Sequence, residues 1–170
     1  MLAYYARHFY KVEINSSYYA LPGERAFGSM ANRTPDSFSF VVKTHKDVTH
    51  SEHPTQELFD KFLGSIVPLR ETGKLGCVLA QFPWSFKCIQ VNSGRLREFR
   101  GMIGNLPTVI ELRNSEWANE QTFELLQELD LGFCCVDEPG LRGLMPSCCD
   151  LRHRICSLTW PQCHELVETR

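Results

Sequence analysis

Apolar residues in this chain gather into short runs separated by polar stretches. β-Branched and aromatic residues concentrate in "KVEIN" (11–15), "FSFVVK" (38–43), "GCVLAQF" (76–82), "TVIELR" (108–113) and "GFCCVD" (132–137), each of strand length. Between them the spacing turns helical. Leu58, Phe59, Phe62, Leu63, Ile66 and Val67 fall on one helix face. In "NEQTFELLQELD" (119–130), Phe123, Leu126 and Leu129 stand three apart and Gly132 follows the end. "LAYYARHFY", ahead of the first strand, also predicts a helix. Strands alternating with helices predict a parallel sheet with right-handed crossovers, and nearly continuous apolar strands predict burial on both faces.

Each predicted strand closes on polar residues: Glu13 and Asn15, Lys43, Gln81, Glu111 and Arg113, and Asp137. In parallel α/β folds the C-terminal strand ends and the loops after them form the functional face. Carboxylates there can act as acid/base pairs or metal ligands, and Lys and Arg can hold an anion. Glu13 and Glu111 stand out because each is flanked by apolar residues on both sides, which puts the carboxylate on the opposite sheet face. A carboxylate there is costly unless paired or used. Plain structural ion pairs, Glu13 with Lys43 or Glu111 with Arg113, are the simpler alternative, and "VDEPG" around Asp137 also reads as a turn. His45, His50 and His53 follow the second strand beside Lys43. The aromatic loop "SSYYALP", holding Tyr18, reads either as a substrate-stacking loop or as a lid over the core; Trp84 in "QFPWSF" and Trp117 in "RNSEW" also fall just past strand ends, and aromatics repeated at one rim favour a binding cleft.

Composition narrows the classes. At 170 residues, 43% hydrophobic and 22% charged, the chain suits one globular domain. A net charge of −2 does not support nucleic-acid binding, although a local basic patch stays open. No apolar run reaches membrane-span length, and the start lacks a secretory signal, so no membrane association and a cytoplasmic location are expected. Eight cysteines do not make a disulfide scaffold in such a chain. Cys77, Cys134 and Cys135 sit in apolar runs as small hydrophobes.

The segments "VEINSSYYALP", "FSFVVKTHKDVTH", "LGCVLAQFPWSF", "VIELRNSEW" and "VDEPGLRGLMP" occur in this order and resemble the YecE-like proteins, the family known as domain of unknown function seventy-two. The resemblance covers residues 2–146. It implies an α/β fold, a partial TIM-type (β/α) barrel with strands corresponding to the second through sixth of eight, and it implies no settled activity. Carried over position by position, the family pattern marks Glu13, Asn15, Tyr18, Lys43, His50, Gln81, Pro83, Glu111, Arg113, Trp117 and Asp137. Most coincide with the strand-end residues reached without it.

Beyond residue 146 the chain departs from the pattern. The tail gathers Cys148, Cys149, Cys156, Cys163 and His164, at spacings that match no standard zinc knuckle. Shifting the reading frame by one base lets synonymous codons encode the family's expected continuation, with a glycine forced by Trp160–Pro161. The expectation is therefore an incomplete barrel domain over 1–146 and a frameshifted, aberrant tail over 147–170. A barrel lacking strands leaves open edges, which predicts self-association and loss of the parent activity.

For the parent, these residues predict an enzyme acting on a small, polar substrate, phosphorylated or otherwise anionic; a hydrolase or isomerase of the barrel type is what the resemblance implies, by analogy of fold alone. Glu13, Glu111 and Asp137 are the expected catalytic carboxylates. Asn15, Tyr18, Lys43, His50, Gln81, Arg113 and Trp117 are the expected substrate contacts. The cofactor is left open: Asp, Glu and His suit a divalent metal, but no ligand motif is present. The rival reading is a non-catalytic module that binds nucleic acid or another ligand with the same rim.

Overall fold

The computed structural model describes residues 1–134 and 143–145. Among the described residues, five strands form one parallel sheet in chain order, β1 (Lys11–Ile14), β2 (Ser39–Lys43), β3 (Leu75–Phe82), β4 (Thr108–Leu112) and β5 (Gly132–Cys134). Every expected strand is present, although the fifth is described only to Cys134. Seven α-helices fill the stretches between and before them: α1 (Leu2–Tyr5), α2 (Glu24–Asn32), α3 (Lys46–His50), α4 (Gln56–Ser65), α5 (Val67–Glu71), α6 (Gln90–Ile103) and α7 (Glu120–Glu128). The chain divides into two compact units, Met1–Leu79 and Ala80–Arg170, with the boundary inside β3.

In the first unit, the predicted apolar face of residues 58–67 is real. Phe59, Phe62 and Ile66 are fully buried, and Thr55 starts α4 by accepting a hydrogen bond from the Leu58 amide. A half-turn at Ile66 separates α4 from α5, where Pro68 stands in the first turn and needs no amide partner. The N-terminal helix is much shorter than expected. It covers only Leu2–Tyr5, because most of its aromatic residues find no core to enter: Tyr4, Phe9 and Tyr10 are exposed. Between β2 and β3 the register shifts at Phe40/Val41. Gly76 is the extra residue there, and a Cβ on it would collide with Ser39 Oγ.

In the second unit, β4 is buried along its whole length, as a central parallel strand should be. Helix α6 was not among the expected helices. It buries Asn92, Leu96, Phe99 and Ile103 along one stripe and ends at Gly104, whose φ of 66° suits glycine. Asn119 caps α7 by accepting from the Thr122 amide at 2.9 Å, and Phe123 and Leu126 are buried as expected. Cys77 in the first unit is buried, whereas Cys134 is only half-buried. No helix among the described residues is long and apolar enough to cross a membrane.

Candidate functional site

In the second unit the ends of β3 and β4 bring Gln81, Glu111 and Arg113 together. Alternation puts Ile110 and Leu112 on one face of β4 and Glu111 with Arg113 on the other. Glu111 is 5% exposed. Gln81 Nε2 donates to Glu111 Oε1 at 2.6 Å, and Arg113 Nε lies 2.6 Å from the same oxygen. The carboxylate is thus fixed from two sides, while the Arg113 side chain stays one-third exposed and can present charge to a ligand. The Glu111–Arg113 ion pair foreseen as the simpler reading is formed.

Two loops wall this cluster. Asn114, 3% exposed, donates from Nδ2 to the Trp84 carbonyl at 2.8 Å and accepts from the Glu116 amide at 2.9 Å. The second bond caps the short 3-10 turn Ser115–Trp117. Trp117, expected to contact substrate, is instead 1% exposed. Its indole N–H donates to the Phe86 carbonyl at 2.6 Å, and its ring stacks on Phe86 at 5.4 Å. That ring has no open face to offer a ligand; it holds the wall. Trp84 is the exposed aromatic of this region, and its indole donates to the Gly143 carbonyl at 2.9 Å. The Met145 amide donates to the Arg113 carbonyl, and the Ser115 amide to that of Gly143, so residues 143–145 also hold the end of β4.

The first unit carries a different cluster. Ser17, fully buried, sets its hydroxyl 2.8 Å from the Ile14 carbonyl and 2.6 Å from that of Lys43, tying the 3-10 turn Ser16–Tyr18 to the end of β2. The turn delivers Tyr18, whose hydroxyl lies 3.1 Å from His50 Nε2. Lys43 Nζ stands 5.1 Å from the Tyr18 ring centroid, a cation–π contact. Burial raises the Tyr18 pKa above its usual value, with neighbouring Tyr19 adding to it. His50 moves the other way: burial lowers its pKa, as do the charges of Lys43 and Lys46, against the opposing effects of the Lys46 backbone and Asp47. Glu13 and Asn15 are exposed. The foreseen Glu13–Lys43 pairing is not made; Lys43 turns to Tyr18.

Among the expected residues, Tyr18, Lys43 and His50 therefore meet in one unit, and Gln81, Glu111 and Arg113 in the other. Asp137, the tail cysteines and His164 lie outside the described residues, as does the proposed frameshift. Sequence reasoning overlooked Ser17, Asn114 and Phe86. For Ser17 and Asn114 the available signal was a small polar residue in, or capping, a short turn soon after a strand. No group of three or more His, Cys, Asp or Glu that could hold a metal ion occurs among the described residues.

The family model described as "Protein of unknown function DUF72" matches residues 1–160. The UPF0759 protein YunF of Bacillus subtilis (strain 168) is 32% identical over 154 residues, which is 84% of this chain and 55% of that protein. Among solved structures, a DUF72 family protein from Thermotoga maritima MSB8 is 37% identical with a TM-score of 0.77, covering 86% of this chain and 58% of that one. Another from Enterococcus faecalis V583 is 29% identical with a TM-score of 0.82, covering 86% and 57%. The chain spans little more than half the length of these relatives. The likeness places it in the expected fold class, the α/β class of the partial TIM-type barrel.

Proposed function

The chain belongs to the DUF72 family of unknown function, and from that premise we propose that Glu111 moves a proton in a reaction on a small anionic, polar substrate. The supporting observation is a carboxylate set inside a fully buried strand, with Gln81 and Arg113 converging on one of its oxygens. Stability alone is a poor reason for such an arrangement, since well-packed apolar side chains serve as well or better than a buried ion pair. Positioning a carboxylate for acid/base work is a better one. In this reading Arg113 supplies charge for the anion, Gln81 orients the carboxylate, and Asn114 with Trp117 keeps the wall rigid. Lys43 offers the anion-binding charge of the first unit, with Tyr18 and His50 beside it. Glu13, Asn15 and Asp137 complete the reading as further acid and orienting groups.

The test is a panel of sugar phosphates and other phosphate esters, scored for both binding and turnover. A panel member turned over by the wild-type chain should lose about 10²–10⁴ in rate with Glu111→Gln while its Kd stays unchanged. Binding without turnover of any panel member, by this chain and by the full-length UPF0759 protein YunF alike, would sink the reading and favour a non-catalytic module.

A further inference from the structure

Beside Lys43 the hydrogen bonds around His50 admit one consistent polarity. The Thr49 hydroxyl lies 3.5 Å from the Lys46 carbonyl and 3.0 Å from His50 Nδ1. A carbonyl only accepts, so with the hydroxyl proton turned to Lys46 the Thr49 oxygen is left to receive one from Nδ1. The neutral ring then carries its proton on Nδ1 and a lone pair on Nε2. In this tautomer the Tyr18 hydroxyl, 3.1 Å away, donates to that lone pair, which commits its single proton inward. Protonating Nε2 reverses the bond: the imidazolium donates to the phenol oxygen, and the phenol O–H is released to turn elsewhere. Lys43 Nζ already sits 5.1 Å from the centroid of the same ring, so a released O–H and an ammonium belong to one cluster, two donors of the kind that hold an oxyanion.

We propose that the Lys43–Tyr18–His50 cluster binds an oxyanion together with a proton, His50 acting as the gate on the Tyr18 hydroxyl. The proposal rests on the reading of Lys43 as an anion-binding residue and adds a proton linkage to it. The charged and titratable groups facing His50 are Tyr18 with Tyr19 behind it on the 3-10 turn, Lys43 at the end of β2, and Lys46 and Asp47 on α3. Partial burial and the two lysines disfavour the charged ring in the free protein, which biases the gate toward its shut state without a ligand. A bound anion offsets the lysine charges and draws the proton in. By linkage, anion affinity then rises as pH falls toward the lowered pKa of His50, by up to about tenfold per pH unit.

Sulfate is the suitable probe, because its own charge does not change over this range. Calorimetric titration of the full chain with sodium sulfate, from about pH 8 to about pH 5.5, should show tightening binding with uptake of one proton. The uptake is read from the difference between two buffers of unlike ionisation enthalpy. His50→Gln should flatten the pH profile, and Tyr18→Phe should weaken binding at low pH and remove the slope. His45→Gln should leave the slope intact. Sulfate binding that does not vary with pH overturns the linkage and leaves the anion-binding reading standing. An absence of sulfate binding at every pH overturns both, and a slope that survives His50→Gln or vanishes in His45→Gln assigns the proton elsewhere and overturns the gate.

Discussion

The two clusters sit at the ends of strands in one sheet, yet their side chains live in opposite conditions. Glu111 lies in a strand with every residue buried, and the loops that wall it are laced by bonds from Asn114, Trp117 and Trp84. Tyr18 and His50 lie on a short turn and a five-residue helix, and His50 is exposed. Burial makes each lost partner expensive, which fixes geometry. Partial exposure lets a ring gain or lose a proton at modest cost, which permits response. On the proposed readings, the difference suits the second unit to positioning and the first to proton-coupled binding.

Breaking the wall should produce the largest effect. Trp117→Ala removes a fully buried indole and its bond to Phe86, and should lower unfolding free energy by about 3–5 kcal/mol, read by urea denaturation followed by circular dichroism. Glu111→Ala comes next. It strips the partner from Gln81 and Arg113, at about 2–3 kcal/mol; the value falls below that of a fully buried pair because Arg113 reaches solvent. Glu111→Gln should cost clearly less by the same measurement, since it retains an acceptor oxygen. In the first unit, Ser17→Ala should cost about 1–2 kcal/mol and loosen the turn, visible as faster amide exchange at Tyr18 and Tyr19. Tyr18→Phe should cost about 0.5 kcal/mol or less, and an equal loss to Glu111→Ala would erase the contrast between the clusters.

The smallest effect is one of pH. The folded state lowers the His50 pKa from the usual 6.5, so it favours the neutral ring. The stability this contributes is present above the unfolded value and is lost as pH falls through the lowered folded value. Urea midpoints measured on either side of that window should show a small loss on the acid side. His50→Gln should remove that component, and a variant with the same acid loss as the wild type would place the titration on another group.

Much of this was legible in the chain. The strands announced themselves because runs such as "FSFVVK" and "TVIELR" are apolar enough to be buried on both faces. The face of α4 was equally plain, for Phe59, Phe62 and Ile66 repeat at helical spacing. Helix α6 was harder to see: its stripe runs through Asn92, and Gly94 and Gly101 interrupt "QVNSGRLREFRGMI", weakening the local signal. The helix that "LAYYARHFY" predicts shortens to Leu2–Tyr5, since propensity alone does not sustain a helix whose aromatic residues find no core. Glu111 and Glu13 looked alike, each a carboxylate between apolar neighbours, yet one is buried and paired while the other is exposed on an end strand of the sheet.

By itself, then, the sequence determined the parallel α/β class, the strands and the strand-end polar residues, because hydrophobic periodicity and alternation are local properties of the chain. Only the tertiary structure decided which of those polar residues meet. Gln81 reaches Glu111 across thirty positions of sequence, and Tyr18 reaches His50 across thirty-two. Those distances close through sheet register and crossover packing, which no local pattern encodes. The same packing turned Trp117 inward to stack on Phe86, and so made a wall of a residue that its position after a strand would have assigned to a ligand.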